Sequence, residues 1–249
     1  MAKYTDKNSY TILFTIIMVV VVGSLLAGVA QGLRSKIKLN ERYEKQQNIL
    51  YAMGVHDNEG EGDVEFISTD KVEAEFGIYI KKQLVFQGDE VTENKDAYLI
   101  DLKKEETLAK DGIYQRRLPL FVGEKDGETY YVIPMRGKGL WDAIWGFVAL
   151  DKDYTVKGVF FDHKGETPGL GAEIKQRFFM DDFSGEKIMD GDSFKGIAVA
   201  KGNNDPVNKI KDDYEVDALA GATITGDGVT AMIKKDLRMY LPYLKTLNE

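Results

Sequence analysis

The chain contains no cysteine in 249 residues. That absence excludes disulfides, thiolate-held iron–sulfur clusters, a cysteine nucleophile and covalent c-type haem. Histidine is scarce as well, with only His56 and His163, far apart in sequence. A histidine-rich zinc or di-iron centre is disfavoured on that count, and a Ser-His-Asp triad would have to use one of these two. Redox chemistry on this chain would therefore need an organic cofactor. Basic residues are in deficit, 33 against 41 acidic, giving a formal charge of -8. Nucleic-acid phosphates want a basic face, so no nucleic-acid partner is expected, and the acidic surface reads simply as solubility.

What the chain does have is one long apolar run. "NSYTILFTIIMVVVVGSLLAGVAQGL", Asn8 to Leu33, carries no charge. At about 1.5 Å per residue, its roughly 26 residues span the ~30 Å hydrocarbon layer as a helix. A cleaved signal peptide with Gly28-Val29-Ala30 as the small-residue site is the competing reading, but such apolar regions run only about 7–15 residues. The expectation is an uncleaved anchor in a lipid bilayer. Lys3 and Lys7 precede it; Arg34, Lys36, Lys38, Arg42 and Lys45 follow. Positive-inside counting alone would leave the rest of the chain in the cytoplasm, although long domains translocate largely regardless of flanking charge.

Beyond the anchor, "LNERYEKQQNILYAM" (Leu39–Met53) reads as a charged helix with Ile49, Leu50 and Met53 on an apolar edge. "GVHDNEGEGD" breaks it. Residues 64–123 read as an accessory layer without chemistry, and "KKEE" (Lys103–Glu106) as a solvated face. From Glu128 the pattern sharpens. "ETYYVIPMRG", "WGFVALD", "TVKGVFFDH" and "FKGIAVAKG" read as strands, and "GAEIKQRFFMDDF" as a short amphipathic helix. Met232, Ile233, Leu237, Tyr240 and Leu241 recur at helical spacing in the last segment. The fold class that follows is α+β: an N-terminal transmembrane helix, then a mixed sheet with flanking helices.

Three motifs carry chemistry. "GKGLWDAIWG" (Gly137–Gly146) joins two glycines that permit close backbone approach to the flat apolar face of Trp141; a hairpin with a half-buried tryptophan explains it equally well. "HKGETPGLGAEI" (His163–Ile174) places a Thr167-Pro168-Gly169 turn between strand and helix, its backbone uncovered at Gly169 and Gly171. Glu166 there is suited to accept a ligand hydrogen bond or to cap the turn, and His163 reads as an ordinary satisfied histidine. "DALAGATITGDG" (Asp217–Gly228) sets Thr225 at or just before the start of the last helix, where free N–H groups and the helix dipole favour an anion. An N-cap role accounts for Thr225 as simply. The stretch lacks the lysine and spacing of a Walker phosphate loop.

Together these stretches resemble a family. "DALAGATIT" is similar to the flavinylation motif of FMN-binding domains, and "GKGLW" with "HKGETPGLGAEI" looks like the remaining motifs of the C subunit of sodium-translocating NADH:quinone reductases. The resemblance implies FMN joined by a separate flavin transferase through a phosphoester to Thr225. It implies that Leu140, Trp141, Thr167 and Leu170 line the isoalloxazine, with Glu166 and Gly171 beside them and Thr223, Gly221 and Ala222 near the phosphate. Ala220 stands where the family commonly has serine or threonine. The resemblance further implies an electron-relay subunit in a multisubunit complex of a bacterial inner membrane, its flavin domain extracytoplasmic, and the expectation follows the resemblance on this point. Three segments result: an anchor over 1–34, a membrane-exit helix with an accessory α/β layer over 35–123, and an FMN-binding domain over 124–249. The G subunit of an Rnf-type ferredoxin:NAD oxidoreductase and a flavin-free tethered binding or assembly module are the alternatives.

Overall fold

The computed structural model describes residues 8–60, 62–202, 205 and 208–248. Lys3 and Lys7, counted above for sidedness, lie outside them. The chain divides into two units, 1–42 and 43–249. The described part of the first is helical and exposed throughout, within α1 (Asn8–Ala52), whose most apolar 18-residue stretch has a mean hydropathy of 2.8. It is long and apolar enough to cross a membrane. The apolar run and the charged Leu39–Met53 stretch thus belong to one helix.

In the second unit come α2 (Val72–Tyr79), β1 (Ile80–Gln87), β2 (Glu90–Glu93), α3 (Leu102–Leu108), β3 (Leu118–Lys125), β4 (Glu128–Lys138), β5 (Ala143–Leu150) and β6 (Val156–His163). After them follow α4 (Arg177–Asp181), the short strands β7 (Met189–Asp190), β8 (Ser193–Phe194), β9 (Ala198–Ala200) and β10 (Glu215–Asp217), and α5 (Thr223–Asn248). The main sheet is antiparallel in the order β2-β1-β3-β4-β5-β6; among the described residues parallel pairing is confined to β9 and β10. Residues 64–123, expected as an accessory layer, supply β1 to β3 of this same sheet.

The pleat explains the layers. β4 is buried at six successive residues, Tyr130 to Met135, which requires cover on both faces. Residues directly opposite in the ladder share a face, so Gly137, Ile144 and His163 point one way, with Met135, Gly146 and Phe161. On that face α5 lays Met232 against Gly137, and Phe179 and Phe183 of the α4 segment pack on Phe161. On the other face Tyr51 and Phe66 pack against Phe160, and the Ala52 carbonyl oxygen approaches Gly158. The expected apolar edge of the exit helix, Ile49, Leu50 and Met53, is fully buried there.

Two expectations need correction. The "KKEE" stretch is a solvated face only at Lys103 and Lys104: Glu105 is fully buried and takes Nε and Nη2 of Arg117 at 3.0 and 2.6 Å, and the Tyr114 hydroxyl at 2.7 Å. Glu106 pairs with Arg116, Arg136 and Lys235. Arg116 and Arg117 lie just beyond α3, whereas Arg136 and Lys235 are brought to Glu106 only by the fold. "GAEIKQRFFMDDF" is not one helix either: Gly171–Lys175 forms a 3-10 turn, Gln176 is extended, and only Arg177–Asp181 is α-helical. The break leaves Ile174, Phe179 and Met180 all buried.

Candidate functional site

β6 ends at His163, at the end of the sheet where β4 and β5 turn. The Gly139 amide closes that turn on the Asp142 carbonyl at 2.8 Å. The turn is the hairpin expected, but Trp141 stands out of it, 66% exposed, its Nε1 donating to Thr167 Oγ1 at 3.1 Å. After β6, the His163 Nδ1 accepts the Glu166 amide at 3.1 Å, while its buried Nε2 has no hydrogen-bond partner among the described residues. Amides of Leu170 and Ala172 both return to the Thr167 carbonyl at 3.1 Å, and Gly169, at a φ of 75°, supplies the left-handed residue the turn requires.

The third piece is the start of α5. Thr225 is not an N-cap: the helix begins at Thr223, which makes Thr225 its third residue. The first ladder bond runs from the Gly226 amide to the Ala222 carbonyl at 2.9 Å, so the amides of Thr223, Ile224 and Thr225 precede it. The small residues here have a packing reason. A Cβ at Gly228 would strike the Lys138 carbonyl oxygen, and one at Gly226 would lie 3.0 Å from Val199 Cγ1. They bring the helix start hard against the β4–β5 turn and β9.

Glu166 ties the three pieces together. Its carboxylate accepts the amides of Leu140 at 3.3 Å, Trp141 at 2.9 Å and Asp142 at 3.4 Å, and the Thr225 hydroxyl at 2.6 Å. Both partners are nearly inaccessible, Glu166 at 4% and Thr225 at 1%. Burial works against ionisation of Glu166, but the Thr225 hydroxyl and the three amides outweigh it and hold the carboxyl below its ordinary range. Glycine makes room for the arrangement. A Cβ at Gly171 would meet Thr225 Oγ1 and come within 2.6 Å of Glu166 Oε2; one at Gly139 would lie 2.6 Å from Glu166 Oε1.

A cavity of about 200 Å³ opens between these segments, lined by Leu140, Glu166, Thr167, Leu170, Gly171, Gly221, Ala222, Thr223, Ile224 and Thr225. Nine of the ten site residues expected from sequence line it; Trp141 stands outside, on the rim. Ile224 is the one that sequence reasoning missed. The available signal was an apolar side chain, now 56% exposed, between two threonines on a turn of otherwise tiny residues. Leu140 at 46% and Leu170 at 41% complete an exposed apolar mouth. Among the described residues no arginine or lysine lines the cavity, so an anion entering it would meet backbone amides and the helix dipole.

The FMN-binding domain family matches residues 139–238, a span holding all three pieces of this site. The C subunit of the Na(+)-translocating NADH-quinone reductase from Neisseria meningitidis serogroup A is 31% identical, the similarity covering 99% of this chain and 98% of that protein. The same subunit from Vibrio alginolyticus is 32% identical, over 92% of this chain and 90% of its own. Among solved structures, that of the Parabacteroides distasonis homologue of this subunit superposes with a TM-score of 0.70 at 33% identity, over 85% of this chain and 96% of that one. Shewanella oneidensis NqrC gives 0.65 at 26%, over 83% and 99%. Likeness of this extent, in sequence and in fold, makes the chain a member of the C-subunit family of Na(+)-translocating NADH-quinone reductases, oxidoreductase complexes in which this subunit has an FMN-binding domain.

Proposed function

We propose that this chain is a membrane-anchored electron-relay subunit that carries FMN as a phosphoester on Thr225. The observation that carries the reading is the Thr225 hydroxyl in the wall of a cavity at the start of a long helix, under an apolar rim. The residues fit the cofactor. A volume of about 200 Å³ is below the roughly 300–1,000 Å³ that encloses a small organic ligand. It would take a phosphate and part of a ribityl chain, and the exposed Leu140, Trp141, Leu170 and Ile224 would be the residues to hold the ring. The amides of Thr223, Ile224 and Thr225 would hold the phosphate, and the Gly221-Ala222 turn would let it approach. Bound FMN would supply the electron transfer. The protein fixes its position, and covalent attachment prevents loss from so open a site.

In this reading residues 1–34 anchor the chain in the bacterial inner membrane, 35–123 buttress the flavin domain, and 124–249 carry the flavin on the extracytoplasmic side. Its partners are the remaining subunits of the complex, and a flavin transferase in maturation. Membership of the C-subunit family sets aside the Rnf alternative; the flavin-free module stays as the rival. Co-expression with a flavin transferase decides between them. The intact mass of the chain should rise by one FMN residue, and Thr225→Ala should abolish the rise. Unmodified mass in both would leave the flavin-free module standing.

A further inference from the structure

Two threonines stand one residue apart at the start of α5, and the structure treats them differently. Thr223 is exposed, whereas Thr225 is 1% exposed and gives its single hydroxyl proton to Glu166 Oε2 at 2.6 Å. If access alone decided, Thr223 would be the better acceptor for a modifying enzyme. We propose that Glu166 is a catalytic residue for the chain's own flavin attachment, taking the Thr225 proton as Oγ1 attacks. The inference rests on Thr225 as the attachment point.

The step balances. Thr225 Oγ1 forms a bond to phosphorus of a flavin nucleotide activated as a pyrophosphate. The bond from that phosphorus to the leaving phosphate oxygen breaks, its electron pair departing with that oxygen, and the Thr225 proton passes to Glu166 Oε2. Glu166 later loses it to water through the cavity mouth. An external base would have to take a proton that the nearly inaccessible Thr225 hydroxyl already gives to Glu166 Oε2. The three amides that fix the carboxylate keep it ionised and aimed. Weak basicity is no obstacle, because an aspartate accepts the substrate hydroxyl proton in protein kinases. Gly171 completes the device, since any side chain there would displace both atoms.

The test follows the rate of flavin incorporation by intact mass, with peptide mapping, on the full-length chain in detergent with a flavin transferase. General-base assistance contributes on the order of 10²–10⁴-fold, so Glu166→Gln should slow modification of Thr225 at least about a hundredfold. Glu166→Ala should be equally slow and should regain rate with added formate, in proportion to the ionised formate present. Glutamine within about threefold of wild type would overturn the inference and leave the attachment site intact. A slow Glu166→Ala that formate fails to restore would also overturn it, assigning Glu166 to packing alone. Wild-type chain that takes no flavin on Thr225 would instead sink the attachment reading, and this inference with it.

Discussion

A methyl group at position 171 is barred only by what it would touch. Gly171 lies in a right-handed 3-10 turn, so its backbone tolerates any residue, but the added carbon would meet Thr225 Oγ1 and Glu166 Oε2. Neither atom is free to swing away: one sits on Cβ, and the other belongs to a carboxylate that three amides and the Thr225 hydroxyl hold in place. Gly171→Ala should therefore cost about 1–3 kcal/mol, the usual range for overpacking a tight site. It should also sharply reduce flavin incorporation, because it separates the hydroxyl from its acceptor. An unchanged melting temperature with full incorporation would mean that the contact is not made. At this scale the sequence is a good guide to which residues meet and a poor one to how. Small residues around "GATITG" suggest an accessible hydroxyl, yet Thr225 is buried, and Gly226 and Gly228 serve the packing of α5. Sequence leaves Glu166 between ligand contact and turn cap because its partners, at 140–142 and 225, are brought to it only by the fold.

At the scale of elements, strands with strong apolar patterns are legible and broken helices are not. β4, β5 and β6 lie where apolar runs and turn residues put them, whereas "FKGIAVAKG" is split between the end of β8 at Phe194 and the three-residue β9. That strand gains its place from β10 and from Thr230, whose hydroxyl accepts the Val199 amide at 2.9 Å. The same region holds a fully buried carboxyl that no periodicity reveals. Glu186 lies behind the Gly185–Val156 junction, hydrogen-bonded by Asn208 at 3.0 Å, with Lys211 Nζ at 3.6 Å and Asp213 nearby. Burial pushes its carboxyl up to about 7, against the pull of Asn208 and Lys211. The unfolded chain releases this proton near 4.5, so between about 4.5 and 7 the folded state binds more protons and stability falls as pH rises. The loss is complete above the folded value and amounts to about 3 kcal/mol at most, at ~1.4 kcal/mol per pH unit. Glu186→Gln should flatten that part of the curve and raise the melting temperature relative to wild type at pH 8, with little difference at pH 4. A parallel pair of curves would place the carboxyl in water rather than in the core.

For the whole molecule, the division at residue 42/43 does not coincide with the end of the apolar run near Leu33, and it falls inside α1. The last turns of that helix therefore belong to the second unit, with Ile49 and Leu50 fully buried and Met53 at 1%. Met53 packs so closely on Gly123 that a Cβ there would overlap its Sδ, and the Ala52 carbonyl oxygen excludes one at Gly158. Charge along "LNERYEKQQ" and the apolar run before it hide this role from a reading by composition, which joins the segment to the membrane. Burial of one such side chain contributes about 1.5–3 kcal/mol, so losing all three would remove roughly 5–9 kcal/mol. Whole domains have only about 5–15 kcal/mol of stability. A chain starting at Tyr43 should thus fold, remain in the soluble fraction and unfold cooperatively. One starting at Gly54 should aggregate or show no cooperative transition, although it keeps every strand of the sheet and every residue that lines the cavity at Thr225. Circular dichroism melts of the two would check this. Equal melting temperatures would mean that the end of α1 is a passive tether, and that the sheet's second face is closed without it.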